Sequence, residues 1–460
     1  MFNPEKKFEE KKMKRIFAWY TRTPLIWLNI GAFVLGCAAG LLIWKLGASG
    51  YKEEADHITA FLSPFGNVLI SMLKMIVIPI IFCSLVCGSS SLPLKQFGKM
   101  GLAVVVWYVA TSVYAAVFGC FTAIVCNPTL NNSVQTAGRM LAQAQSMQTA
   151  AAGSGSPLLK IFYGMFMNPF QALARGEFLA VIVFSILLGV AARVLLDTNE
   201  NPAASNSIHS MLNVFEGMQC TVFKIIDWVM RYFPVGIFAL SATCFASYGV
   251  MLLSSYFQVA ISVIIGIILM ITVCYPLFIF LVCRENPYPI LWKLRELVVT
   301  AFVTRSSAAT LPVSMRTVQE KLHIRRELAG FTLSLGATVN MDGVCIHLPV
   351  FAVLAANLFG FTLGPWQIFM LVVGVVFASV GAGGVPGGSI FLLFLVLDFF
   401  PLTAEQSALV VALALGINPL LDMFETACNV AGDNVGTYVI GKRLGLNDAL
   451  PAEKSGNERI

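Results

Sequence analysis

Between Asp342 and Asp398 the chain carries no Asp, Glu, Lys or Arg, and the same holds from Ser247 to Cys283. Each gap is longer than the roughly 20 residues that an α-helix needs to cross a bilayer. A soluble domain carries about 25% charged residues. Here the charged share is 12% and the hydrophobic share 57%, which leaves too little polar surface to cover a soluble particle. The chain therefore belongs in a lipid bilayer. Its apolar runs are long and continuous, unlike the alternating segments of about ten residues in a membrane barrel. The expected fold is an all-α polytopic membrane protein.

Apolar segments at 24–48, 61–89, 99–126, 178–196, 209–245, 249–283, 328–360 and 404–440 make about eight spans. Much of the basic charge lies at the two ends, in Lys6, Lys7, Lys11, Lys12, Lys14 and Arg15, and in Lys442 and Arg443. Short basic flanks stay cytoplasmic. The N-terminus, Lys95, Lys99 and the cluster 321–327 are accordingly expected inside, and the polar connector 127–157 outside. The first 23 residues lack the apolar core and cleavage site of a signal peptide, so the first span is expected to be retained. The net charge of +6 needs no nucleic-acid partner. The eleven cysteines follow no zinc spacing and are read as small apolar residues.

Two regions break the pattern, roughly 288–320 and 366–400. The second packs five glycines and one proline, Pro386, into 381–388 in the middle of an apolar run. Glycine and proline do not continue a helix well. Broken backbone at membrane depth survives only where protein buries it or a cavity borders it. Each region is therefore expected to form a re-entrant helical hairpin, the first with its tip at 305–312. Paired interrupted segments point to a transporter's binding site.

Four acids lie deep in the second half: Asp342, Asp422, Glu425 and Asp433. An unpaired charge there costs about 2.5–3.5 kcal/mol or more. At about 100° per residue, Asn418, Asp422, Glu425, Thr426, Asn429 and Asp433 form one polar stripe down the last span. Helix packing alone would favour Ser, Thr and Asn in such a stripe; three carboxylates point to a ligand and cation path. In the seventh span the oxygens of Thr338, Asn340 and Asp342, with carbonyls near Gly336, suit a hard cation. Tyr108, Thr111 and Ser112 share a face of the third span; taken alone they read as packing residues. His347 reads as a packing residue, with a proton step as the alternative. No HExxH, Walker loop, CxxC pair or GxSxG occurs, so no catalytic constellation and no enzyme is expected, and no cofactor beyond coupling ions.

TRSSAATLPVS at 304–314, GATVNMDG at 336–343, GAGGVPGGS at 381–389 and DMFETACNVAGD at 422–433 resemble, in order, the signature segments of the dicarboxylate/amino acid:cation symporter family. The resemblance runs from about residue 61 and is densest over 301–442. It implies a sodium-coupled elevator transporter with the glutamate-transporter-like fold, assembled as a homotrimer, with an amino-acid substrate, sodium and the bilayer as partners. It divides the chain into a cytoplasmic segment (1–23), scaffold spans one and two (24–96), a transport-domain third span (97–126), a connector with scaffold spans four and five (127–246), the rest of the transport domain (247–445) and a cytoplasmic tail (446–460).

The resemblance also implies three sodium sites. One uses Asn340, Asn429, Asp433 and the Gly336 carbonyl. A second uses Thr338 with carbonyls of Ser379, Val380 and Ala382. The third uses Tyr108, Thr111, Ser112, Asn340 and Asp342. For substrate it puts Asp422 on the α-amino group and Asn429 on the α-carboxylate, with Ser306, Ser307 and the backbone at Val385 closing the pocket. Members that carry acidic substrates place an arginine where this chain has Glu425. A carboxylate there repels an acidic side chain by about 4 kcal/mol at 4 Å and an effective dielectric of 20. Glu425-Thr426 after Asp422 is most similar to the bacterial sodium/serine–threonine symporters of the family, which implies a bacterial inner membrane and a hydroxyl donating to Glu425. Other neutral, cationic or acidic amino acids on the same fold, and an ion channel, are the alternatives.

Overall fold

The computed structural model describes residues 23–90, 98–128, 166–175, 177–198, 201–380, 384, 387–400 and 402–447. The basic N-terminal segment, Lys95, most of the 127–157 connector and most of the 446–460 tail lie outside them, as do Ala382 and Val385.

Helices α1 (Leu25–Ala48) and α2 (Lys52–Ser90) are followed by α3 (Gly98–Cys126). A short α4 (Pro169–Arg175) leads into α5 (Phe178–Thr198) and the long α6 (Pro202–Tyr248). The sixth span is α7 (Met251–Leu269), a π-helical turn (Met270–Cys274) and α8 (Tyr275–Cys283). Pro276 has no N–H to return to the preceding turn, and a π-bulge is one way a helix absorbs such a gap. Then come α9 (Tyr288–Thr304), α10 (Ser307–Arg316), α11 (Arg326–Val339), α12 (Asp342–Phe359), α13 (Pro365–Val380), α14 (Gly388–Leu397) and α15 (Ala404–Leu444). Among the described residues eight helices or helix pairs are long and apolar enough to cross a membrane. This agrees with the count read from hydropathy.

Two groups of helices share the bundle. In one, α1 and α2 pack along α6, and α5 packs on α2. Gly36 and Gly40 let α1 approach α6 closely. A Cβ at Gly40 would sit 2.4 Å from the Ala242 carbonyl, and one at Gly36 2.6 Å from that of Phe238. Without a hydrophobic drive between helices in lipid, such close backbone packing is what joins them. In the other group α12 lies against α3, and α15 against α9, α11 and α12.

The seventh span is not continuous. Asn340 and Met341 separate α11 from α12, with Asn340 in an extended conformation. Its N–H still bonds the Gly336 carbonyl at 3.0 Å, but the chain leaves the helix there and re-enters at Asp342. The seventh span thus unwinds within GATVNMDG.

Candidate functional site

The site grows from two chain breaks and one long helix. Thr304 ends α9 and Arg305 turns the chain with a positive φ of 55°. Ser306 then caps α10, its hydroxyl accepting the Ala309 N–H at 3.2 Å. The same hydroxyl donates to the Gly384 carbonyl at 2.9 Å, and the Ala308 N–H reaches that carbonyl at 3.4 Å. The two breaks therefore touch each other.

Arg305 is 6% exposed. Its Nε donates to Asp422 Oδ2 at 2.8 Å and its Nη2 to the same oxygen at 2.7 Å. The Gly387 N–H, just ahead of α14, is a third donor to that oxygen at 3.1 Å. One carboxylate on α15 thus ties both breaks to the long helix, and it is satisfied by charge-assisted bonds.

A small cavity, about 230 Å³ of empty space including its open part, lies at this junction. Only about 10 Å³ of it is open to the centre of a water-sized molecule, room for about one water, so the site is nearly closed. Asp422, Glu425, Thr426 and Asn429 of α15 line it, with Arg305 and Ser307 from the first break and Gly384, Gly388 and Ser389 from the second. Met341 and Val344 close it from the seventh span.

Asn429 Oδ1 accepts the Gly343 N–H at 2.7 Å, so its amino end is the one this contact leaves over. A Cβ at Gly343 would meet the Glu425 carbonyl at 2.4 Å. Glycine is what lets α12 lie this close to α15.

Beside the cavity the polar groups of four spans converge. Asn340 Nδ2 donates to Asp433 Oδ1 at 3.0 Å, and Thr111 donates to Asn340 Oδ1 at 3.2 Å. Tyr108 donates to the Thr332 carbonyl at 2.7 Å. Asp342 Oδ2 accepts from Tyr275 at 2.9 Å, while its Oδ1 is buried without a hydrogen-bond partner. An orphaned carboxylate oxygen at such depth is costly unless a cation meets it, so these residues fit a bound sodium ion.

Several expected site residues come together and others do not. Asp422, Glu425, Thr426, Asn429 and Ser307 share the cavity wall. Ser306 differs: its hydroxyl is used in the α10 cap and the clasp to Gly384, and the cavity lining does not include it. Asp422, expected to meet an amino group, is already held by Arg305. Of the first expected ion set, Asn340, Asp433 and Gly336 adjoin, and Asn429 turns to Gly343. Of the second, Thr338 bonds the Leu335 carbonyl and Ser379 the Val376 carbonyl. No hydrogen bond joins Thr338 to Ser379 among the described residues. Val380 is the last residue of α13, and Ala382 lies outside the described residues. Of the third, Tyr108, Thr111, Ser112, Asn340 and Asp342 are all buried.

Sequence reasoning missed four groups. Arg305 stood in the quoted motif, but pairing with a helix 117 residues away is invisible to spacing. Ser389 lines the cavity with a buried hydroxyl that has no partner. Tyr275 reaches Asp342 from beyond the π-turn. His347, read as a packing residue with a proton step as the alternative, sets Nδ1 2.6 Å from Glu425 Oε2, a contact that spacing alone does not reveal.

A multi-pass helical bundle that closes a small ion-paired cavity between its helices suits a membrane transport protein. Comparison with known sequences agrees. A model of the sodium:dicarboxylate symporter family matches residues 25–443, and the chain belongs to that family. The neutral amino acid transporter B(0) of Bos taurus is 30% identical over 457 residues, spanning 91% of this chain and 80% of that protein. The serine/threonine transporter SstT of Acinetobacter baylyi is 27% identical, over 82% of this chain and 90% of that one. The proton/glutamate-aspartate symporter of Escherichia coli is 28% identical, over 91% and 92%. The family and these relatives are transporters, not enzymes. The resemblance read from the motifs is thereby borne out, at the level of an amino acid/dicarboxylate symporter with sodium as the coupling ion of the family.

Proposed function

We propose that this protein takes up small neutral hydroxy amino acids, serine and threonine, by sodium-coupled symport. The observation that carries the substrate is Glu425 in the cavity wall. The other cavity carboxylate is neutralised by Arg305, so Glu425 gives the side-chain end of the pocket its character. It repels an acidic side chain by several kcal/mol and accepts a hydrogen bond from a hydroxyl. A site built for that hydroxyl discriminates against alanine. Asn429 offers its amino end to a substrate carboxylate, and Asp422 takes the ammonium group while Arg305 moves aside or shares it. Sodium fits at Asp342 and at Asn340–Asp433, with Tyr108, Thr111, Ser112, Thr338 and the carbonyls of Gly336, Ser379, Val380 and Ala382 as the remaining ligands of the family's three sites.

Helix lengths support re-entrant hairpins. At about 1.5 Å per residue, the 17 residues of α9 and 16 of α13 reach about 25 Å, the ten of α10 with the five of the π-helical turn Thr317–Lys321 that continues it about 20 Å, and the ten of α14 about 15 Å. A hydrocarbon core is about 30 Å thick, so none of the four is long enough to cross it alone. In this reading α3 and α7–α15 form the moving transport domain and α1, α2, α5 and α6 the scaffold. In the same reading the backbone at Val385, outside the described residues, closes the pocket. The homotrimer, the bacterial inner membrane and the cytoplasmic N-terminus complete it, supported by the family resemblance and the basic N-terminal flank.

The test is radiolabelled serine uptake into proteoliposomes under an inward sodium gradient, challenged with unlabelled threonine, alanine, lysine and aspartate. Sodium-dependent uptake blocked by threonine and not by aspartate is expected. Block by aspartate or lysine instead would overturn the reading of Glu425, and current without concentrative uptake would mark a channel.

A further inference from the structure

His347 is a buried polar group to which the reading above gives no task. It lies on α12, 1% exposed. Its Nδ1 is 2.6 Å from Glu425 Oε2, its ring stands edge-on to Phe351 at 5.1 Å between centroids, and its Nε2 has no partner. A neutral imidazole carries one N–H and one acceptor nitrogen. The carboxylate oxygen of Glu425 accepts, so the proton at this contact belongs on Nδ1, which donates to it.

The contact is built into the helix pairing. Gly343 and His347 are four residues apart on α12, and Glu425 and Asn429 four apart on α15. Gly343 bonds Asn429 at 2.7 Å, and His347 meets Glu425 at 2.6 Å. These are two successive rungs between antiparallel faces, and the missing Cβ of Gly343 sets their closeness. The two cavity carboxylates are thus held in matched ways: Asp422 by Arg305 and the Gly387 N–H, Glu425 by His347.

We infer that His347 is a specificity-determining positioning residue. Its Nδ1–H anchors Glu425 Oε2, so that the carboxylate presents its remaining acceptor positions to the substrate side chain in one orientation. The inference rests on the proposed role of Glu425 as side-chain acceptor and adds the residue that makes that role selective. A hydroxyl side chain meets a fixed acceptor, and a methyl side chain leaves the acceptor unmet. Without the anchor, Glu425 swings within the cavity and the preference for a hydroxyl falls.

The experiment compares wild type, H347L, H347N, H347Q, E425Q and H347L/E425Q, purified full-length and reconstituted, with folding checked by size exclusion. Unlabelled serine, threonine and alanine compete against radiolabelled serine. The serine-over-alanine selectivity of H347L and H347N should fall about tenfold or more, the loss of one hydrogen bond to a charged group. H347Q, whose amide reaches further than that of H347N, should recover most of it. The double variant should be no less selective than E425Q alone. A uniform fall in maximal rate with the ratio intact would mark a packing role and overturn the inference. If H347L fails to fold, the contrast between H347N and H347Q decides: equal ratios overturn it. If wild type shows no preference for serine, the functional reading fails by itself. H347N and E425Q must then still shift whatever rank order exists, and by the same amount, or the inference falls too.

Discussion

Helix α1 and the α11–α12 pair are both apolar enough to span a bilayer, yet they live in different solvents. Of the most apolar stretch of α1, 28% is buried; of the most apolar stretch within Arg326–Phe359, 94% is buried. Leu35 and Leu42 on α1 are exposed and face the surroundings of the bundle, while Asp342 and His347 on α12 are almost wholly enclosed. Mean hydropathy does not separate the two, because lipid and a protein interior are equally apolar. What separates them is the alternative offered to a polar group. On the exposed face of α1 it would meet only hydrocarbon. On α12 it meets Tyr275, Glu425 or Asn429. The protein therefore concentrates its charge where helices surround it, and leaves the lipid-facing half plain.

That contrast predicts unequal responses to substitution. The largest belongs to the buried ion pair. R305A leaves Asp422 uncompensated and should destabilise the protein by about 3–5 kcal/mol, read as a fall in melting temperature in detergent. D422N should abolish serine uptake. A folded R305A protein with unaltered stability would show that the inner half is wetter than the geometry implies.

Next is G343A. Its new Cβ would lie 2.4 Å from the Glu425 carbonyl, so the helices must part, at about 1–3 kcal/mol. Since the same contact sets both rungs between α12 and α15, serine uptake should fall with it. An uptake assay on a stable G343A protein checks that link.

A smaller effect is expected at Glu285, outside the spans, where Lys442 at 2.7 Å and Tyr438 hold the carboxylate. The hydrogen bonds from Lys442 and then Tyr438 lower its pKa below the ordinary carboxylate value. A lowered folded-state value stabilises above the unfolded pKa, and the contribution disappears as pH falls through the folded one. The side chain is 40% exposed, so screening keeps E285Q to about 0–1 kcal/mol at neutral pH. Melting curves of wild type and E285Q should converge in acid.

The smallest belongs to the plain half. L35A removes a side chain 64% exposed on α1 and should change stability by about 0.5 kcal/mol or less. A larger loss in the assembled protein would mean that this face packs on another subunit instead of lipid.

Much was legible in the linear chain. Charge-free runs and glycine–proline breaks announce spans and interruptions through local physics: backbone groups in lipid must be satisfied within their own helix, and Gly and Pro cannot continue one. The α15 stripe was legible too, because helical periodicity alone puts Asp422, Glu425, Asn429 and Asp433 on one side. The partners of those residues were not. Arg305 finds Asp422 across 117 positions, Tyr275 finds Asp342 across 67, and His347 finds Glu425 across 78. Such pairs depend on how far a π-turn rotates one helix and how closely a glycine admits another. Sequence determined which segments enter the membrane and which residues must be hidden there. Only tertiary structure decided who satisfies whom, because a buried charge takes as partner whichever complementary group the packing brings within hydrogen-bond reach.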